Sequence, residues 1–167
     1  MNEPETIEVL KQAILLERKG RALYKNVAEQ SKSPAVQDFF ALMAEEEERH
    51  IEILSTQGQT FNETGALDLS AAGLDETSSI ESNVLTDRIK GEISAADYEA
   101  AAIEAAIAME EKAVEAYSDR TDAADDPEEK KLYEWLASWE QSHLHTLWDI
   151  NKDLTEKIWF SNQFWPF

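Results

Sequence analysis

Glu17, Tyr24, Glu47 and His50 recur later in the chain as Glu110, Tyr117, Glu140 and His143, each pair separated by the same 93 residues that separate Glu17 from Glu110. Ile14 and Ile107, Lys19 and Lys112, and Pro34 and Pro127 keep that offset. The chain reads as a duplicated helix pair in which each copy supplies one Glu from its first helix and one Glu-x-x-His from its second. That is the donor set of a carboxylate-bridged two-metal site inside a four-helix bundle. Residues three apart on a helix share a face about one turn apart, so the Glu and His of each motif can reach a single metal or bracket a pair.

Each of the four glutamates interrupts an otherwise apolar stripe, and an isolated ionised carboxylate in a core costs several kcal/mol. Two divalent cations would balance four carboxylates, and two imidazoles would add neutral nitrogen donors. For one copy alone, the run Glu45 to Glu48 would read as a solvated charged face with a histidine three residues on by chance. The repeat argues against chance, which would also have to set both partner glutamates, both tyrosines and both prolines in one register. Tyr24 and Tyr117 lie two turns beyond their helix's glutamate on the same face. There a phenol either hydrogen-bonds a metal-bound carboxylate from another helix or acts as an ordinary core tyrosine bonded to a backbone carbonyl. His145, two residues after His143, turns away from the interior toward surface or interface. Arg21, one turn from Glu17, either pairs with a carboxylate or points outward.

Four helices must carry these groups. Leu10, Ala13, Ile14, Glu17, Gly20, Tyr24 and Val27 recur at three- and four-residue steps, which predicts a first helix over roughly residues 4–31. Ser33 followed by Pro34 is a helix start. Val36, Phe40, Met43, Glu47, His50, Ile51 and Leu54 then form the inner stripe of a second helix expected to end near Gly58. Residues from about 58 to 93 are polar and weakly periodic, too long for a turn, which predicts a crossover; Val84, Leu85 and Ile89 suggest a short amphipathic stretch within it. Ser94 caps a third bundle helix through Ile103, Ile107, Glu110, Val114 and Tyr117. Asp126, Pro127 and Glu129 open the fourth, which buries Tyr133, Leu136, Glu140, His143, Leu147 and Ile150. The predicted fold is all-α: a ferritin-like four-helix bundle over residues 1–155 with a long crossover between helices 2 and 3, followed by an aromatic tail at 156–167. The tail, Ile158-Trp-Phe-Ser-Asn-Gln-Phe-Trp-Pro-Phe, either folds over its own bundle or docks on a second subunit, and the aromatic enrichment of interfaces favours a homodimer.

Composition narrows the partners. A formal charge of −20, from 35 acidic against 15 basic residues, repels phosphate backbones and anionic lipid surfaces, so neither nucleic acid nor membrane is expected. The same charge either concentrates cations near the surface or only keeps the chain soluble. No cysteine is present, which removes thiol catalysis and cysteine-ligated zinc or iron–sulfur sites within these residues. Met1-Asn-Glu-Pro-Glu-Thr lacks a basic stretch leading into an apolar one, so the expected location is cytoplasmic.

Glu17 with Gly20 and Tyr24, Glu47 with His50, Glu110 with Ala113 and Tyr117, and Glu140 with His143 together resemble the rubrerythrin branch of the ferritin-like superfamily. The resemblance implies a non-haem centre of two iron ions, held by Glu17, Glu47, His50, Glu110, Glu140 and His143, that reacts with hydrogen peroxide or dioxygen. From the donors alone, manganese or zinc would also be accepted. Typical rubrerythrins carry a cysteine-ligated rubredoxin domain, so for this chain the resemblance implies an external electron donor protein. They also carry an extra glutamate three residues after the third-helix ligand, where Ala113 stands here. A more symmetric site of that kind suits a ferroxidase or plain oxidase as well as a peroxidase. Three functions follow: a di-iron oxidoreductase, an iron-binding or sequestration protein with ferroxidase activity, and a metal-free bundle acting through its aromatic tail.

Overall fold

The computed structural model describes residues 3–74, 83–92 and 98–161. Among these residues there are five helices and no strand: α1 Glu3–Gln30, α2 Pro34–Thr64, α3 Asn83–Glu92, α4 Tyr98–Ala123 and α5 Pro127–Ser161. Helices α1 and α2 pack as one hairpin and α4 and α5 as another, while α3, lying in the crossover, rests on α2 and α5. The architecture is the all-α ferritin-like bundle that the sequence predicts. None of the described helices is long and apolar enough to cross a membrane.

Local chemistry fixes where the helices start. Ser33 adopts an extended backbone and its hydroxyl accepts from the Val36 amide at 3.3 Å, with Pro34 in the first turn where its missing N–H is not needed. Asp126 caps α5 in the same way, accepting from the Glu128 and Glu129 amides at 2.9 and 3.0 Å.

Two expected boundaries move. Helix α2 does not stop near Gly58 but runs through it to Thr64, so the crossover begins at Gly65 rather than at about residue 58. A lone glycine costs a helix only about 1 kcal/mol, and Leu54 and Gln57 hold this stretch by burial. The stop is Gly65, left-handed at φ 76°, whose amide bonds back to Phe61 O at 2.8 Å. The Gln57 side chain then pins the departing loop, donating to Asp68 O at 2.8 Å and accepting from the Asp68 amide at 2.9 Å. At the other end α5 continues to Ser161, so the first part of the expected tail is helix. The rest of that tail, and the expected cap at Ser94, lie outside the described residues.

The core is divided into two apolar clusters. One contains Tyr24, Phe39, Phe40, Met43, Ile103, Ile107, Leu144 and Leu147; the other contains Leu10, Ala13, Leu54, Ala113, Tyr117, Leu132, Tyr133 and Leu136. In each long helix the stripe passes from one cluster to the other at the glutamate. Glu17 falls between Ala13 and Tyr24, Glu47 between Met43 and Leu54, Glu110 between Ile107 and Ala113, and Glu140 between Leu136 and Leu144. Four carboxylates therefore meet in one layer, closed above and below by hydrocarbon.

Candidate metal centre

Glu17, Glu47, Glu110 and Glu140 are each at most 2% exposed, and His50 and His143 are fully buried. Both imidazoles present Nδ1 to the carboxylates. His50 Nδ1 lies 2.9 Å from Glu17 Oε2, 3.0 Å from Glu140 Oε1 and 3.8 Å from Glu47 Oε2. His143 Nδ1 lies 3.0 Å from Glu140 Oε2, 3.5 Å from Glu110 Oε1 and 3.6 Å from Glu47 Oε1. Glu47 and Glu140 thus turn one oxygen to each imidazole, while Glu17 sides with His50 and Glu110 with His143. The donors form two overlapping groups, Glu17-Glu47-His50-Glu140 and Glu47-Glu110-Glu140-His143, each with its ligand atoms within 4.8 Å of one another.

The tyrosines tie the two hairpins together at this layer. Tyr24 on α1 donates its hydroxyl to Glu110 Oε1 on α4, and Tyr117 on α4 donates to Glu17 Oε1 on α1. Each thus bonds the terminal glutamate of the opposite copy.

Burial pushes Glu17 and Glu47 well above the usual carboxylate range, and repulsion from Glu140 adds to it. Burial and then Glu140 raise Glu110 to about 8. Glu140 is also opposed by burial, but the imidazoles on either side override it and hold this carboxyl below its ordinary value. Burial alone would lower His143, yet the Glu110 and Glu140 carboxylates beside it raise it. Glu17, Glu47, Glu110 and His143 therefore favour their protonated forms here, and cations are the other way to satisfy the cluster. Both Glu140 oxygens and His143 Nδ1 lack a hydrogen-bond partner although only 3.0 Å separates nitrogen from oxygen. Oxygens and an imidazole nitrogen that converge this closely suit a cation, and oxygen and imidazole donors fit iron, manganese or zinc.

A family model for rubrerythrin matches residues 8–150, a span that holds all six donors and both tyrosines. The chain belongs to the rubrerythrin family. Comparison with curated proteins and with solved structures gives no match. Membership of the rubrerythrin family, together with a buried cluster of this composition, points to a metal site. Where rubrerythrins typically place an additional glutamate, Ala113 is 5% exposed and lines a small cleft between α1 and α4, facing Gly20, its counterpart in the repeat.

The remaining sequence candidates fall elsewhere. Arg21 pairs with Glu48, and His145 is exposed. Glu46 is not among the sequence candidates, since it lies in a run of four glutamates that suggests a charged face. In fact Glu45 is exposed while Glu46 is 6% exposed and accepts from His143 Nε2 at 2.8 Å and from Trp139 Nε1 at 2.9 Å. The signal that could have found it is the repeat itself, because Glu46 and Trp139 stand 93 residues apart, the same register as the ligand pairs.

Proposed function

We propose that this rubrerythrin-family protein is a non-haem di-iron oxidoreductase that reduces hydrogen peroxide or dioxygen. The observation that carries it is the pair of donor groups sharing Glu47 and Glu140. Two iron ions bound there would supply two electrons to an oxygen–oxygen bond, which with two protons takes peroxide to two waters.

This chain's residues do the rest. Glu17 and His50 would hold one ion, Glu110 and His143 the other, and Glu47 and Glu140 both. Tyr24 and Tyr117 fix the rotamers of Glu110 and Glu17, so the terminal carboxylates stay in place when the charge beneath them changes. The apolar clusters on both sides exclude water. The cleft beside Gly20, Met109 and Ala113 holds only about 10 Å³, about the size of one water, which favours a small oxygen species over an organic substrate. Electrons would come from a separate donor protein, and the protein would act in the cytoplasm as a homodimer.

Ala113 favours a second reading, iron binding with ferroxidase activity, because the centre carries the same ligands in both halves. Metal analysis of protein from iron-supplied cells, followed by stopped-flow mixing of the anaerobically reduced form with peroxide and separately with dioxygen, separates the two. About two irons per chain with prompt oxidation by peroxide supports the peroxidase. Preference for dioxygen with ferrous ions as the consumed substrate supports the ferroxidase, and a ferrous centre inert to both oxidants rules out both.

A further inference from the structure

The inner ligands repeat faithfully, but the groups behind them do not. His143 turns Nε2 outward to Glu46 Oε2 at 2.8 Å. A carboxylate oxygen accepts, so when Nδ1 gives up its proton to a cation this contact keeps the remaining His143 proton on Nε2 and leaves the Nδ1 lone pair for the cluster. Trp139 Nε1 donates to the same oxygen at 2.9 Å and holds the carboxylate in place. The repeat assigns the equivalent position behind His50 to Trp139 itself, which has no acceptor to offer. His50 Nε2 is buried without a hydrogen-bond partner, with Trp135 and Trp139 edge-on at ring separations of 5.4 and 5.3 Å.

We propose that Glu46 is a positioning residue that makes the two halves of the centre unequal, so that the His143 half takes up metal before the His50 half. The inference rests on the metal-binding reading above. A carboxylate behind a ligating imidazole fixes its tautomer and ring orientation and strengthens it as a donor, and losing such a partner typically lowers metal affinity about 10–100-fold. The His50 side has the shape of a site without that support: its ring is held by tryptophan packing, and no acceptor stands behind its Nε2. Because Glu47 and Glu140 are shared, filling the stronger half first also sets their geometry for the second ion.

Three histidines make the experiment simple, since exposed His145 serves as an internal reference. The metal-free, full-length protein is titrated with zinc while imidazole nitrogen shifts are followed by NMR. At one equivalent, coordination at His143 Nδ1 is expected with His50 largely unchanged, and His50 follows with the second. In Glu46→Ala, loading at His143 should weaken about 10–100-fold and the order should vanish or reverse. Glu46→Gln, whose amide oxygen still accepts, should recover part of the difference. If His50 fills first, or both fill together in the natural sequence, the proposal fails even where a variant does not fold. An unchanged order in folded Glu46→Ala also overturns it. Sequential or parallel loading of two ions leaves the metal reading standing in each case, whereas no uptake at all removes that reading and the proposal with it.

Discussion

Metal-free protein should lose stability as pH rises from 5 to 8, against the usual behaviour of carboxylate-rich proteins, which fail in acid. Glu110 is the clearest contributor. Its carboxyl moves from an ordinary 4.5 to about 8 in the fold, so the native state binds a proton that the unfolded chain has released. That stability is present in full below about pH 4.5 and is lost as pH climbs to about 8, a total of about 5 kcal/mol, of which roughly 3 to 4 falls between pH 5 and 8. Glu17 and Glu47, also raised, act in the same direction. So does His143, whose contribution is complete below its ordinary 6.5 and declines above it. Glu140, lowered, loses stability only as pH falls below the carboxylate range and stays constant in this window. The assay is urea unfolding of chelator-treated protein at several pH values in about 0.15 M salt, which screens the acidic surface but hardly touches buried charges. With a slope near 2 kcal/mol per molar urea, the midpoint should fall by about 2 M from pH 5 to 8. Glu110→Gln should keep a substantial part of that loss from occurring. A midpoint that is flat or rises over this range, or a Glu110→Gln variant with the full slope, would refute the idea that stacked, buried carboxyls dominate the apo state.

Adding a divalent metal should reverse the trend, because the ligands must shed protons to bind; at about a thousand times its dissociation constant one ion adds about 4 kcal/mol, readable as a rise in Tm that grows toward pH 8. Tyr24→Phe and Tyr117→Phe should each cost about 1.5–3 kcal/mol in denaturant unfolding near neutral pH, by similar amounts, since each removes one hydroxyl from one buried carboxylate; a large inequality would count against the repeat as a functional symmetry. Gly20→Ala places a Cβ 3.2 Å from Glu47 Cδ and 3.3 Å from Met109 Cε. Helix propensity returns up to about 1 kcal/mol, so unfolding should change little while zinc or iron uptake by calorimetry weakens. Asp126→Ala removes the acceptor of two α5 amides and should cost about 1 kcal/mol without affecting metal uptake.

Much of the fold is written in periodicity. The stripes, the Ser33-Pro34 and Asp126-Pro127 starts and the 93-residue register specify two helix hairpins, because each of these signals depends only on residues within a turn or two of one another or on a repeat that can be counted. The end of α2 was less legible. Gly58 and Gly65 look alike in the chain, and only the backbone shows that one stays helical while the other turns left-handed. The donor types of the candidate centre were likewise legible, since a carboxylate on an apolar stripe is conspicuous wherever it occurs. What the tertiary structure decided is how they divide. Whether Glu47 and Glu140 are shared or terminal depends on which oxygens face which imidazole across helices, and no local spacing encodes that. Tyr24 meeting Glu110 and Tyr117 meeting Glu17 is a property of how the hairpins cross. Glu46 is the sharpest case. Among four consecutive glutamates only a register shared with Trp139 marks it in the chain, but helix rotation brings Glu46 against His143 and Trp139, while adjacent Glu45 stays in solvent. Residue types and their spacing determine what chemistry is available; the relative rotation and crossing of the helices determine which of those groups touch, and hence which half of the centre is supported.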